Sequence, residues 1–110
     1  MAYNERLASR IREILDAQDG GVDERKMFGG IAFMVKGHMC CGVIHDDLML
    51  RLGADRAEEA LAEPHVRPMD FTGRPMQGYV YVAAPALETD EGLARWLRLA
   101  RDFVETLPPK

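Results

Sequence analysis

Only two cysteines occur in the chain, and they are neighbours, Cys40 and Cys41. Adjacent cysteines rarely staple distant segments, so the fold has to hold without a disulfide framework. Basic charge is not in surplus: 14 Lys and Arg face 18 Asp and Glu, for a net charge of −4. Phosphate binding wants a basic face, so this balance argues against the whole domain being a nucleic-acid binder, while leaving room for a local basic patch. No window approaches the ~18 consecutive apolar residues of a membrane span. The N-terminus, MAYNERLASR, alternates charge with apolar residues where an export signal would carry an apolar core. No tract is low in complexity, and no CxxC or HxxxH spacing offers a ready metal site. These absences lead us to expect a cytoplasmic protein with reduced thiols, no cofactor and no membrane contact.

What is present is ordinary globular material, 47% apolar and 29% charged over 110 residues. A chain of this length forms one domain, residues 1–110, and buries roughly two-thirds of its unfolded surface without a metal or disulfide. The stretch that organises it is KMFGGIAFMVKGHMCCGVIHDDLMLRLG, residues 26–53. Apolar runs over 31–35, 38–45 and 48–52 read as three strands, with turns at Lys36–Gly37 and Asp46–Asp47. Turns this short force antiparallel neighbours. Residues 22–27 read as an approach or a partly exposed edge, and Gly29–Gly30 as a bulge or a place of close backbone approach.

Helices flank this core. Tyr3, Leu7, Ile11, Ile14 and Leu15 recur at helical spacing over 4–18, with Asn4 as N-cap and Gly20–Gly21 as the stop. A short helix over 54–63 carries only Ala57, Ala60 and Leu61 as apolar positions, and Pro64 ends it. Val66, Met69 and Phe71 mark a short strand, and GYVYVA, 78–83, a clear one. From Thr89 or Asp90 to about Thr106, the stripe Leu93, Trp96, Leu97, Ala100, Phe103, Val104, Leu107 is the strongest helix signal in the chain. The expected fold is an α+β two-layer domain with a mostly antiparallel five-stranded sheet, in the order α-β-β-β-α-β-β-α.

The chemistry-bearing residues do not assemble into a catalytic set, and the expectation is a protein that is not an enzyme. Strand alternation puts His38 and Cys40 on one face and Cys41, Val43 and His45 on the other, which splits any metal site. The cysteines read first as one small core residue and one on a half-buried face. A redox- or metal-responsive role for Cys40 and Cys41, or a small-molecule site, is the alternative. Gly29 and Gly30 lack the further glycines and the following helix of a phosphate loop. Arg95, Arg98 and Arg101 could form a nucleic-acid stripe. Glu91–Arg95, Arg98–Asp102 and Arg101–Glu105 each lie four apart, however, the spacing of ion pairs on a solvated helix face. The chain holds seven methionines, and those beside the strands suit either core filling or an adaptable binding face.

At KMFGGIAFMVKGHMCCGV and again at RPMDFTGRPMQGYVYV, the chain resembles the N-terminal domain of the TfoX/Sxy family. The most specific element is Lys26-Met27-Phe28-Gly29-Gly30 ahead of an apolar strand and the Gly37 turn. The second is Pro68-Met69-Asp70-Phe71 followed by Gly78-Tyr79-Val80. The resemblance covers residues 1 to about 108. It implies an α+β domain and a role akin to that of regulators of bacterial competence genes, which act with a transcription factor at its promoters. Full-length members carry a second, C-terminal domain, and this chain reads as a stand-alone copy of the first. The resemblance brings no catalytic residues. It marks Lys26, Met27, Phe28, Gly29, Gly30, Met69, Asp70 and Phe71 as signature positions and interaction candidates. The implied partner is another protein, transcription machinery among the candidates, with a homodimer through a sheet edge as a second arrangement and direct nucleic-acid binding the weakest.

Overall fold

The apolar runs of the organising stretch zip into a sheet because their two-residue connections leave no other arrangement. In the computed structural model the described residues are 3–18, 21–27, 29–70 and 75–108. They form α1 (Glu5–Gln18), β1 (Val22–Met27), β2 (Gly30–Val35), β3 (His38–Ile44), β4 (Asp47–Arg51), α2 (Ala54–Ala60), β5 (Val66–Asp70), β6 (Pro75–Val82), a 3-10 turn (Ala84–Leu87) and α3 (Asp90–Val104). Lys36 and Gly37 both have positive φ, 53° and 83°, which matches the twist of the flanking strands. The next connection is His45–Asp46, not Asp46–Asp47, because Ile44 and Asp47 are already paired.

The sheet has six strands in the order β1-β2-β3-β4-β6-β5, and all its neighbours are antiparallel. Five were expected, and the additional one is β1. It pairs along its whole length with β2, from Val22↔Val35 to Met27↔Gly30. Its run Asp23-Glu24-Arg25-Lys26 lacks the apolar alternation that signals a strand. An edge strand needs only one paired side, and exposed charges there discourage pairing with other chains. At the other edge, β5 is laid down outside β6 because the chain leaves β4 through α2 and returns on the far side.

The helices form the second layer. Leu7, Ala8, Ile11 and Leu15 of α1, Ala57 and Ala60 of α2, and Leu93, Trp96, Leu97, Ala100 and Val104 of α3 are buried in one cluster. That cluster also holds Ile31, Phe33, Val35, Cys41, Val43, Leu48, Leu50, Val80 and Val82, the alternate positions that the strand register places on one side of the sheet. Capping agrees with the sequence. Asn4 Oδ1 accepts from Leu7 N at 3.0 Å, and Thr89 Oγ1 accepts from Gly92 N at 3.0 Å. No helix among the described residues is long and apolar enough to cross a membrane.

Candidate functional site

The two thiols are where strand alternation fails. Phe33 pairs with Cys41 while the next residue, Met34, pairs with Met39, so Cys40 is an extra residue with no partner across the ladder. A bulge of this kind shifts the side-chain phase by one. It turns Cys40 and Cys41 to the same side, into the helix-covered core, where both are fully buried. Hydrogen bonding to Cys40, followed by burial, pushes the Cys41 thiol well above the ordinary thiol range, and the charge of Arg101 only partly offsets this. A buried thiol held protonated is a poor nucleophile. His38 is engaged elsewhere, its Nε2 lying 2.6 Å from the Pro108 carbonyl oxygen. No group of three metal-ligating side chains occurs among the described residues. The redox- or metal-responsive alternative is thereby corrected: Cys40 and Cys41 are core residues.

The arginine stripe is corrected too. Arg101 is only 5% exposed and donates from Nη1 to the Leu15 carbonyl at 3.3 Å, tying α3 to α1, with Glu105 at 3.9 Å. Arg95 pairs with Glu63 beyond α2 at 3.0 Å and stacks over Trp96 at 4.6 Å. One of the three arginines is therefore in the core and another is held against a neighbouring segment. The expected four-apart pairing survives only at Arg101–Glu105.

The signature positions fall into two groups. Met27 and Gly30 are paired across the β1–β2 hairpin, Gly29 sits in its turn at φ 77°, and Lys26 is exposed. The glycine pair is thus a turn and a close approach rather than a bulge. A Cβ on Gly30 would lie 2.1 Å from the Val43 carbonyl oxygen, so only glycine lets β2 meet β3 there. Met69 and Asp70 close β5, with Asp70 paired to Pro75. Phe28 and Phe71 lie outside the described residues. β1 and β5 are five positions apart in an antiparallel sheet, so they run in opposite directions. Their C-terminal ends occupy diagonal corners, separated by about 24 Å of sheet width alone at ~4.8 Å per strand. The fold does not bring the two signature segments into one site.

What the strand register does bring together is the sheet face opposite the helices. Met34 of β2, Met39 and Ile44 of β3, and Tyr79 and Tyr81 of β6 fall on it and are half-buried. Ala32 and Met49, between them, are buried, and none of these residues belongs to the cluster that holds the helices. Met49 lies against Gly42 in the next strand. Arg67 is 4.7 Å above the Tyr81 ring and pairs with Asp47 at 2.5 Å. This face is apolar, methionine-rich and framed by charge.

At one end of the face lies a feature that the sequence did not signal. Arg51, the last residue of β4, places its guanidinium carbon 5.7 Å from the Tyr79 ring centre and 5.9 Å from that of Phe103. It borders a cavity of about 200 Å³ floored by Gly53 and Gly78. Both glycines have positive φ, 84° and 90°. A Cβ on Gly53 would strike the Phe103 ring at 2.6 Å. Nothing in the run LMLRLG distinguishes this arginine from a strand-end surface charge.

The TfoX N-terminal domain model matches residues 13–104. The chain belongs to the TfoX N-terminal domain family. The match spans α1 from its second half to the end of α3, and so takes in the whole sheet. No curated protein and no solved structure matches the chain. Membership in the TfoX family agrees with the resemblance carried by Lys26–Gly30 and Pro68–Phe71, and makes the chain a regulatory or interaction module of TfoX/Sxy type.

Proposed function

We propose that this domain acts as a protein-interaction module in bacterial transcription control, and that its working surface is the sheet face opposite the helices. One observation carries the reading. The strands present apolar side chains on both sides, and the described helices cover only one of them. Methionines such as Met34 and Met39 repack readily around different partners, which suits a recognition face. Tyr79 and Tyr81 add aromatic area with a polar tip, the composition of interface anchors. The described signature positions Lys26, Met27, Gly29 and Gly30, and Met69 and Asp70, enter as rims of this face at its diagonal corners; Phe28 and Phe71 lie outside the described residues.

The partner is another protein in the cytoplasm, with transcription machinery the first candidate from the family resemblance. A second copy of the chain is the other arrangement. Nucleic acid is disfavoured by the net charge of −4 and by the engagement of Arg67 with Asp47.

The test compares affinity capture from host lysate, with nuclease present, for the unmodified protein and for Met39→Glu combined with Ile44→Glu. Both positions are half-exposed, so the variant stays folded, as far-UV circular dichroism checks. A partner retained by the parent and lost by the variant supports the reading. A partner that the variant retains in full, or that nuclease releases, overturns it.

A further inference from the structure

We infer that the cavity beside Arg51 receives the C-terminal residue of a protein partner, its carboxylate held by the Arg51 guanidinium. This deepens the interaction-module reading and rests on it. Arg51 is half-buried, yet makes no hydrogen bond or ion pair among the described residues, its contacts being the faces of Tyr79 and Phe103. Among the described residues the other arginines that are not exposed are engaged: Arg10 holds Asp90 at 3.0 Å, and Arg101 donates to the Leu15 carbonyl. A guanidinium carries five N–H donors in a planar fork that matches a carboxylate. At Arg51 the fork is oriented by two rings and has no acceptor among the described residues.

The surroundings are built rather than incidental. Leu52 N and Gly53 N both donate to the Gly78 carbonyl oxygen, at 2.8 and 3.2 Å, which locks the floor of the cavity. Glycines at 53 and 78 keep that floor free of side chains, and Phe103 forms one wall. Tyr79 and Gln77 also line the space, and among the described residues no acidic side chain does. Asp55 and Asp102 border the adjoining groove, which shares Gly53, Ala54 and Phe103 with this one. Among the described residues a negative group meets the Arg51 guanidinium with no carboxylate lining the cavity itself.

Size and position select the ligand. The volume of about 200 Å³ lies below the ~300 Å³ at which cofactor pockets begin. At ~30 Å³ per water it equals roughly seven waters, room for a carboxylate and one side chain but not for a nucleotide. β4 and β6 are internal strands, so a partner cannot add to the sheet here as a further strand. A chain terminus inserts instead, bringing carboxylate and side chain together in one residue.

The experiment titrates the full chain with N-acetyl-phenylalanine, its amide, sodium acetate and inorganic phosphate, following the Gly53 and Gly78 amides and the Arg51 Nε–H by NMR. Saturable shifts with N-acetyl-phenylalanine, at least about tenfold weaker with the amide, are expected, because a charge-assisted fork is lost. Arg51→Gln should weaken binding at least about tenfold at an unchanged Tm, with Arg51→Lys intermediate. Equal binding of the amide, unimpaired binding by Arg51→Gln, or no shift with any probe would overturn the inference. Acetate or phosphate binding as tightly as N-acetyl-phenylalanine would also overturn it, leaving a bare anion site. Should Arg51→Gln fail to fold, the acid-against-amide comparison on the unmodified chain still decides. No partner is needed for this titration, so its failure is distinct from failure of the capture experiment.

Discussion

The two faces of the sheet are made by the same strands and end up in opposite situations. On one side Phe33, Val43, Leu48, Leu50, Val80 and Val82 are fully buried beneath three helices. On the other, Met34, Met39, Ile44, Tyr79 and Tyr81 are half-exposed. Near-continuous apolar runs normally belong to strands covered on both sides. Here the second apolar side has no helix among the described residues, and its side chains shield one another across strands, burying only the small or central Ala32 and Met49. The difference separates the face that holds the fold from the face that the described helices leave uncovered, the one proposed above for recognition.

The sharpest way to break this comparison is a pair of adjacent truncations. Phe33→Ala, on the helix side, should cost about 3–5 kcal/mol through lost burial and the cavity left behind. Met34→Ala, next along the same strand, should cost below about 1.5 kcal/mol, because its side chain is not enclosed. Equal losses in urea unfolding would mean that the faces are not distinct. Gly30→Ala comes next, at about 1–3 kcal/mol, since its methyl group meets the Val43 carbonyl and β2 must move off β3.

Cys41→Ala should cost about 1 kcal/mol at neutral pH, a typical core value, and should change the alkaline limb of stability. The folded thiol titrates above its ordinary value of 9.0. Its contribution is therefore complete below that value and is lost as pH rises beyond it towards the folded pKa. Thermal melts across the alkaline range should fall for the parent and flatten for the variant. Were the thiols exposed instead, the two curves would run parallel. The smallest effect belongs to Glu24→Gln, about 0.5 kcal/mol, at the edge where α1 meets β1. Arg12 donates to Glu24 through two bonds of 2.5 and 2.6 Å, which lowers the carboxyl pKa. The stabilisation is present above the ordinary carboxylate range and is lost as pH falls through the lowered value. Acid unfolding of the variant should lack that component, the pair being partly exposed and weak.

Much of the scaffold was legible because it rests on local periodicity. The stripes of α1 and α3, the Lys36–Gly37 turn and the caps at Asn4 and Thr89 are near-neighbour features, and they stand where spacing and turn chemistry put them. β1 was legible only as an edge, because its charges carry no alternation. The opposite facing expected of Cys40 and Cys41 was misread because a period of two holds only until a bulge intervenes, and no residue at 38–41 announces one. Arg101 was misread as surface because its four-apart partner Glu105 is real, while the α1 carbonyl that draws it inward lies 86 residues away in sequence.

Composition and periodicity by themselves determined the α+β class, the antiparallel core of the sheet and the two long amphipathic helices, and the resemblance to the TfoX family marked the signature at 26–30 and 68–71. Only the tertiary structure decided which side of the sheet the helices cover, that both thiols fall inside, that β1 and β5 end at diagonal corners, and that Arg51 has no acceptor among the described residues beside a glycine-floored cavity. The physical reason is range. Turns, caps and side-chain phase are set by residues a few positions apart. The cover over a face, the partner of a buried charge and the walls of a cavity are set by groups that the chain brings together from far along its length.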